Sequence, residues 1–84
     1  IVFDNSFIIS PNPSTGNFTI SLDRRILKGN VEVLSTLGEN IFMENMFNES
    51  KKEIKLKYIS QGIYLVKVFY GEKYYCKKII IERD

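Results

Sequence analysis

Asn17-Phe18-Thr19-Ile20-Ser21-Leu22 alternates polar and apolar residues without a break. A period of two puts Phe18, Ile20 and Leu22 on one face of an extended chain and Asn17, Thr19 and Ser21 on the other, the pattern of a half-buried β-strand. Just upstream, Ser14-Thr15-Gly16 supplies a turn in which glycine can take positive φ. Before it, Pro11 and Pro13 lack N–H donors and bias their predecessors towards extended geometry. They end a short first strand at Phe7-Ile8-Ile9.

Downstream, residues 23–30 are polar and basic apart from Ile26 and Leu27 and close on Gly29-Asn30, which reads as a connection. Val31-Glu32-Val33-Leu34-Ser35 is the next strand, with Val31 and Val33 inward. Leu37-Gly38-Glu39 punctuates a hairpin into residues 40–47, whose apolar positions are irregular enough to imply a bulge or a helix-like segment. Asn48-Glu49-Ser50 reads as a turn, and residues 51–58 alternate again with Ile54, Leu56 and Tyr58 inward. Ser60-Gln61-Gly62 then leads into Ile63 to Tyr70, a run apolar on both faces and so expected to be a central strand. Gly71-Glu72 forms a near-minimal hairpin loop into a last strand that includes Lys78-Ile79-Ile80-Ile81. About seven short strands separated by turn signals predict an all-β chain, an Ig-like antiparallel β-sandwich.

Composition agrees with one small globular domain. The chain has 84 residues, 44% apolar and 26% charged, and a chain this short has a single core. The formal charge of +2 is too weak to argue for nucleic acid, although all twelve basic side chains lie from Arg24 onward, against eight acidic ones there. Tyr64, Phe69, Tyr70, Tyr74 and Tyr75 lie among Lys67, Lys73, Lys77 and Lys78, but aromatic residues are ordinary strand formers and lysines ordinary guards of sheet edges. Two sequons, Asn17-Phe18-Thr19 and Asn48-Glu49-Ser50, read as surface and turn chemistry. No run is long enough to span a bilayer as a helix.

The chain has no histidine and a single cysteine, Cys76. Ser-His-Asp and Cys-His arrangements are therefore impossible, zinc loses its commonest nitrogen ligand, and no internal disulfide can form. The carboxylates are scattered over outward strand positions and turns. No catalytic residue, metal ligand or cofactor is expected.

Four blocks carry a resemblance. Ile9 to Ile20, with Pro11-Asn12-Pro13 and Gly16, resembles the opening of the type A C-terminal sorting domain of the type IX secretion system, found on exported Bacteroidota proteins. Val31 to Gly38 is similar to that family's second block, although Ser35 stands where members often carry Asp or Asn. Gly62-Ile63-Tyr64 looks like its third, and Tyr75 to Ile81 like its closing lysine-plus-aliphatic strand. The blocks span residues 8–82 in order.

The resemblance implies a non-catalytic address label at the end of a larger cargo protein. Residues 1–6 would be the end of a linker from the upstream cargo domain and residues 7–84 the sorting domain. The label would be recognised in the periplasm, direct passage through the outer-membrane translocon, and be removed by a surface sortase, with the cargo released or joined to lipopolysaccharide. Its partners would be translocon and sortase components, with no nucleic acid and no membrane-spanning segment, and it would act as a monomer. Pro11, Asn12, Pro13, Gly16, Gly38 and Gly62 are the signature positions expected to shape the loops, and Tyr64 is a further signature position. Lys77, Lys78, Ile79, Ile80 and Ile81 are expected to carry recognition, through an open strand edge or through side chains. The rival reading is an Ig-like or fibronectin-like adhesion or carbohydrate-binding module with an aromatic platform at Tyr70, Tyr74 or Tyr75.

Overall fold

The structure, a computed structural model, describes residues 7–83, so the expected linker at residues 1–6 lies outside the described residues. Five antiparallel strands follow one another: β1 (Phe7–Ser10), β2 (Asn17–Ser35), β3 (Asn40–Lys55), β4 (Gly62–Tyr70) and β5 (Lys73–Ile81). They are paired in the order β1-β2-β4-β5, with β3 also on β2.

The chain is all-β and sandwich-like, but with five strands in place of about seven. The difference has a physical cause: two expected loops are corners inside continuous strands. Early β2 pairs with β1 and late β3, whereas late β2 pairs with early β3 and β4. The two long strands therefore belong to both layers of a sheet that folds over on itself. Between the pairs Ser21↔Lys51 and Ile26↔Glu49 the register shifts, so that on the β3 side Leu22 to Arg25 stand against Ser50 alone. A bulge of this kind lets a strand change layers without ending. Asn48 meets the bend with a φ of 53°, a value asparagine tolerates, and its carbonyl accepts a hydrogen bond from Arg25 Nη1 at 2.5 Å.

Inside the fold, Phe7, Phe18, Ile20 and Ile54 of one layer meet Val31, Val33, Val66, Val68, Ile79 and Ile81 of the other in one buried cluster. Period-two reading placed Phe18, Ile20, Val31, Val33 and Ile54 correctly. Tyr58 is an exception: it is 98% exposed beyond the end of β3, whereas Leu56 and Ile59 turn inward. As expected of a central strand, β4 lies between β2 and β5. Among the described residues no helix is long and apolar enough to cross a membrane.

Tyr70 and Tyr75 pack against the core with rings stacked at 5.3 Å. Burial, with the Tyr75 hydroxyl beside it, pushes the Tyr70 phenol up to about 12. The folded state thus holds this proton more tightly than the unfolded chain, whose tyrosines titrate near ~10. Its contribution to stability is complete below about pH 10 and is lost as pH rises towards 12. Titration followed by phenolate absorbance is expected to show one late step, which Tyr70→Phe removes together with the matching part of the alkaline loss of stability.

Candidate functional site

The Pro11–Gly16 loop and the end of β5 form a single junction. Asn12 Nδ2 donates to Lys78 O at 3.1 Å while the amide of Ile80 donates to Asn12 Oδ1 at 3.0 Å. One turn further, Ser14 N donates to Ile80 O at 2.9 Å and Glu82 N to Ser14 O at 2.8 Å, and Ser14 bridges to Ile81 in parallel register. The loop thus runs along β5 as a substitute strand, on the side away from β4. A proline-rich segment suits this place because its missing N–H groups leave the asparagine side chain to supply the bonding pattern.

The loop is itself braced. Ser14, nearly buried, donates its hydroxyl to Asn17 O at 2.7 Å and accepts from Gly16 N at 3.0 Å. Gly16 has a φ of 123°, and its carbonyl accepts from Leu56 N at 2.9 Å. A Cβ there would lie 2.6 Å from Leu56 O, so both the dihedral and the close approach demand glycine.

On the other side of the junction stands Arg83, which sequence reasoning missed. Its Nε donates to Ile59 O at 2.5 Å, and its Nη2 reaches Leu56 O and Lys57 O, each at 3.1 Å. The backbone amide of Arg83 donates to Gln61 Oε1 at 3.3 Å. A guanidinium presents several donors in a fixed fork, and here it ties the chain beyond β5 to the loop between β3 and β4. No local signal marks such a residue, since its partners are carbonyls about two dozen positions away.

The remaining signature residues divide. Gly62 opens β4 opposite Ile81, and Tyr64, half-buried on the core, donates its hydroxyl to Ser60 O at 2.7 Å. Gly38 sits in the β2–β3 turn, donating to Ser35 O within that turn rather than to the junction. The closing residues point to opposite sides. Ile79 and Ile81 are core, and Lys77 lies over the Phe7 ring, its Nζ 5.8 Å from the centroid. Lys78 and Ile80 face outward opposite Leu65 and Ile63. The edge expected to be open is closed over its last stretch, because Lys78 O, Ile80 N, Ile80 O and Glu82 N are all taken.

The aromatic residues do not form one platform. Tyr70 and Tyr75 face the core, whereas Tyr74 lies on the other side against Phe69, with ring centroids 5.5 Å apart. Cys76 pairs with Lys67 on that outer side, yet neighbours cover it completely. Burial pushes its thiol up, partly offset by the Lys67 ammonium. Among the described residues no group of three or more His, Cys, Asp or Glu is gathered to hold a metal.

One expected result tests the junction. Asn12→Ala removes a donor and an acceptor and is expected to cost about 1 to 2 kcal/mol. Asn12→Asp keeps the acceptor for Ile80 N but sets a carboxylate oxygen against Lys78 O, and is expected to cost no less. Amide hydrogen exchange at Ile80 should accelerate in both. Unchanged exchange there would show that the loop does not hold β5.

No curated protein matches this sequence. The family model described as the secretion system C-terminal sorting domain matches residues 8–82, a span that takes in the junction and stops one residue short of Arg83. The chain belongs to this family, the C-terminal sorting domains that mark proteins for export by type IX secretion.

Proposed function

We propose that this domain is a non-catalytic label that carries an upstream cargo through the outer-membrane translocon after periplasmic transit. A surface sortase then removes it, and the cargo is released or joined to lipopolysaccharide. The observation that carries this reading is the family match over residues 8–82. It is supported by the way distant signature positions, Asn12 and Lys78 to Ile80, meet in one bonded junction within a self-contained core. The label's role is to be recognised while folded, and Pro11 to Gly16, Gly62 and Tyr64 serve it by holding β5 and its neighbours in place.

The test is a reporter fused ahead of residues 1–84 and expressed behind a leader in a bacterium with a working type IX system. The reporter is expected at the cell surface or in the medium, and its mass should show that the domain has been removed. A fusion that folds but stays in the periplasm would overturn export. A surface product that retains the whole domain would overturn removal.

A further inference from the structure

The two outer faces of the sandwich differ in kind. On the layer formed by β1, early β2 and late β3, the register sets Thr19 beside Ser10 and Glu53, and Ser21 beside Ile8 and Lys51. That face carries polar groups and mixed charge around a single exposed isoleucine, Ile8. On the other layer, Leu34 lies opposite Leu65, Leu65 opposite Lys78, Ile63 opposite Ile80, and Phe69 opposite Tyr74, all on the side away from the core. Met43 and Phe47, both more than half exposed, continue this face onto β3. Ile63 is 49% exposed, and Leu34, Leu65 and Ile80 are half-buried, so the aliphatic groups lie nearly level with the sheet.

Charge on this face is one-sided. Among the described residues of β2, β4 and β5 that point this way, Lys28, Lys67 and Lys78 are cations and Glu32 is the carboxylate. Glu32 Oε1 already accepts a hydrogen bond from Asn40 at 3.2 Å. Lys67 lies over the Tyr74 ring, its Nζ 5.2 Å from the centroid. The alternative means of docking, strand addition along the end of β5, is closed by Asn12 and Ser14.

Resting on the sorting reading, we propose that the outer face of β2, β4 and β5 is where the domain docks on the secretion machinery. The occupant is a protein surface that is apolar where it covers Leu34, Ile63, Leu65 and Ile80 and carries carboxylates opposite Lys67 and Lys78. An open cleft of about 440 Å³ between Gln61, Ile63, Ile80, Glu82 and Arg83, where one carboxylate and one guanidinium offset each other, gives the end of this face a recess for an uncharged partner side chain. A membrane surface fits less well. Lys67, on the inner strand β4, stands between Leu65 and Phe69 on this face, so burial in lipid would carry its ammonium group into hydrocarbon. A protein can meet each cation with a carboxylate.

The experiment compares export of the reporter fusion carrying Lys78→Glu or Ile63→Glu on this face with Ser21→Glu on the opposite outer face. Each purified domain is checked for a native melting transition, and Lys78→Gln, which removes the cation without adding a carboxylate and is expected to lower export severalfold, serves where an acidic variant fails to fold. Folded Lys78→Glu and Ile63→Glu are expected to lower export roughly tenfold, about 1.4 kcal/mol of lost contact. Lys78→Arg and Ser21→Glu should export normally. Wild-type export with undiminished export of both folded acidic variants overturns the docking face and leaves sorting intact. Failure of the wild-type fusion removes both. Binding of the domain to phosphatidylglycerol vesicles that Lys78→Glu abolishes in parallel with export would overturn the protein partner in favour of lipid.

Discussion

A chain ending at Cys76 is expected to be unfolded, not merely silent as a signal. Removing residues 77–84 takes away Ile79 and Ile81, which are 0% and 1% exposed in the core. Loss of a buried isoleucine side chain costs about 2 to 5 kcal/mol, and a domain of this size has a total stability of only about 5 to 15 kcal/mol. The deletion also strips β4 of its partner from Gly62 to Val66 and leaves the Pro11–Gly16 loop without its bonds to Lys78, Ile80 and Glu82. Arg83 no longer ties down the carbonyls of Leu56, Lys57 and Ile59. Residues 1–76 should therefore lack a cooperative thermal transition in circular dichroism and should elute as an expanded chain. A sharp transition with native-like β signal would overturn this. The consequence for function is direct: loss of export on truncation reports loss of the fold, and recognition is better located with Lys78→Glu, which changes an exposed side chain and leaves the core alone.

Alternation carried much of the fold because a sheet face repeats every second residue. Phe18 and Ile20, and Val31 and Val33, are all buried where the pattern places them, whereas in β4, apolar on both faces, alternation does not choose the buried side, which is that of Val66 and Val68. What alternation does not mark is whether a polar break ends a strand or bends it. Asp23 to Arg25 and Asn48 carry the residue types of loops, yet the ladder resumes across them after a shift of register. The outcome depends on the partner strand, which local sequence does not contain.

The junction was legible in its parts and not in its assembly. Pro11-Asn12-Pro13 and Lys78 to Ile81 stand out in the sequence, but nothing local says that Asn12 reaches across 66 positions to Lys78. It follows that the closing strand's last stretch is a covered edge, and the side chains it turns outward are Lys78 and Ile80, while Ile79 and Ile81 serve the core. Lys77 and Lys78, adjacent and alike in sequence, are separated by the pleat: one covers Phe7, the other faces outward opposite Leu65.

Gly29→Val is expected to cost about 3 kcal/mol, the upper part of the range for overfilling a packed site. Glycine within a strand ordinarily lowers stability by about 0.5 to 1 kcal/mol relative to alanine, so the usual substitution there brings a gain. Here the sign reverses. Gly29, which reads as part of a turn in the sequence, lies inside β2 with Met46 on one side and Tyr70 on the other. A Cβ at this position would lie 2.2 Å from the backbone carbonyl oxygen of Phe69, 3.1 Å from Ile26 Cγ2 and 3.2 Å from Tyr70 Cβ. The nearest of these is part of the β2–β4 ladder, which cannot withdraw without loosening the pairs from Gly29↔Tyr70 to Ser35↔Tyr64. Even Gly29→Ala meets that contact, and the branches of valine add further crowding beside Ile26. Gly38→Ala is the control: its φ of 87° brings strain of about 1 to 2 kcal/mol, but no atom lies within 4 Å of the added carbon. For a domain of this size about 3 kcal/mol corresponds to a fall in melting temperature of roughly 12 to 24 °C. Thermal unfolding should thus rank Gly29→Val below Gly29→Ala, with Gly38→Ala nearest the parent. A Gly29→Ala domain that melts at or above the parent temperature would mean that β2 and β4 do not approach this closely at Gly29.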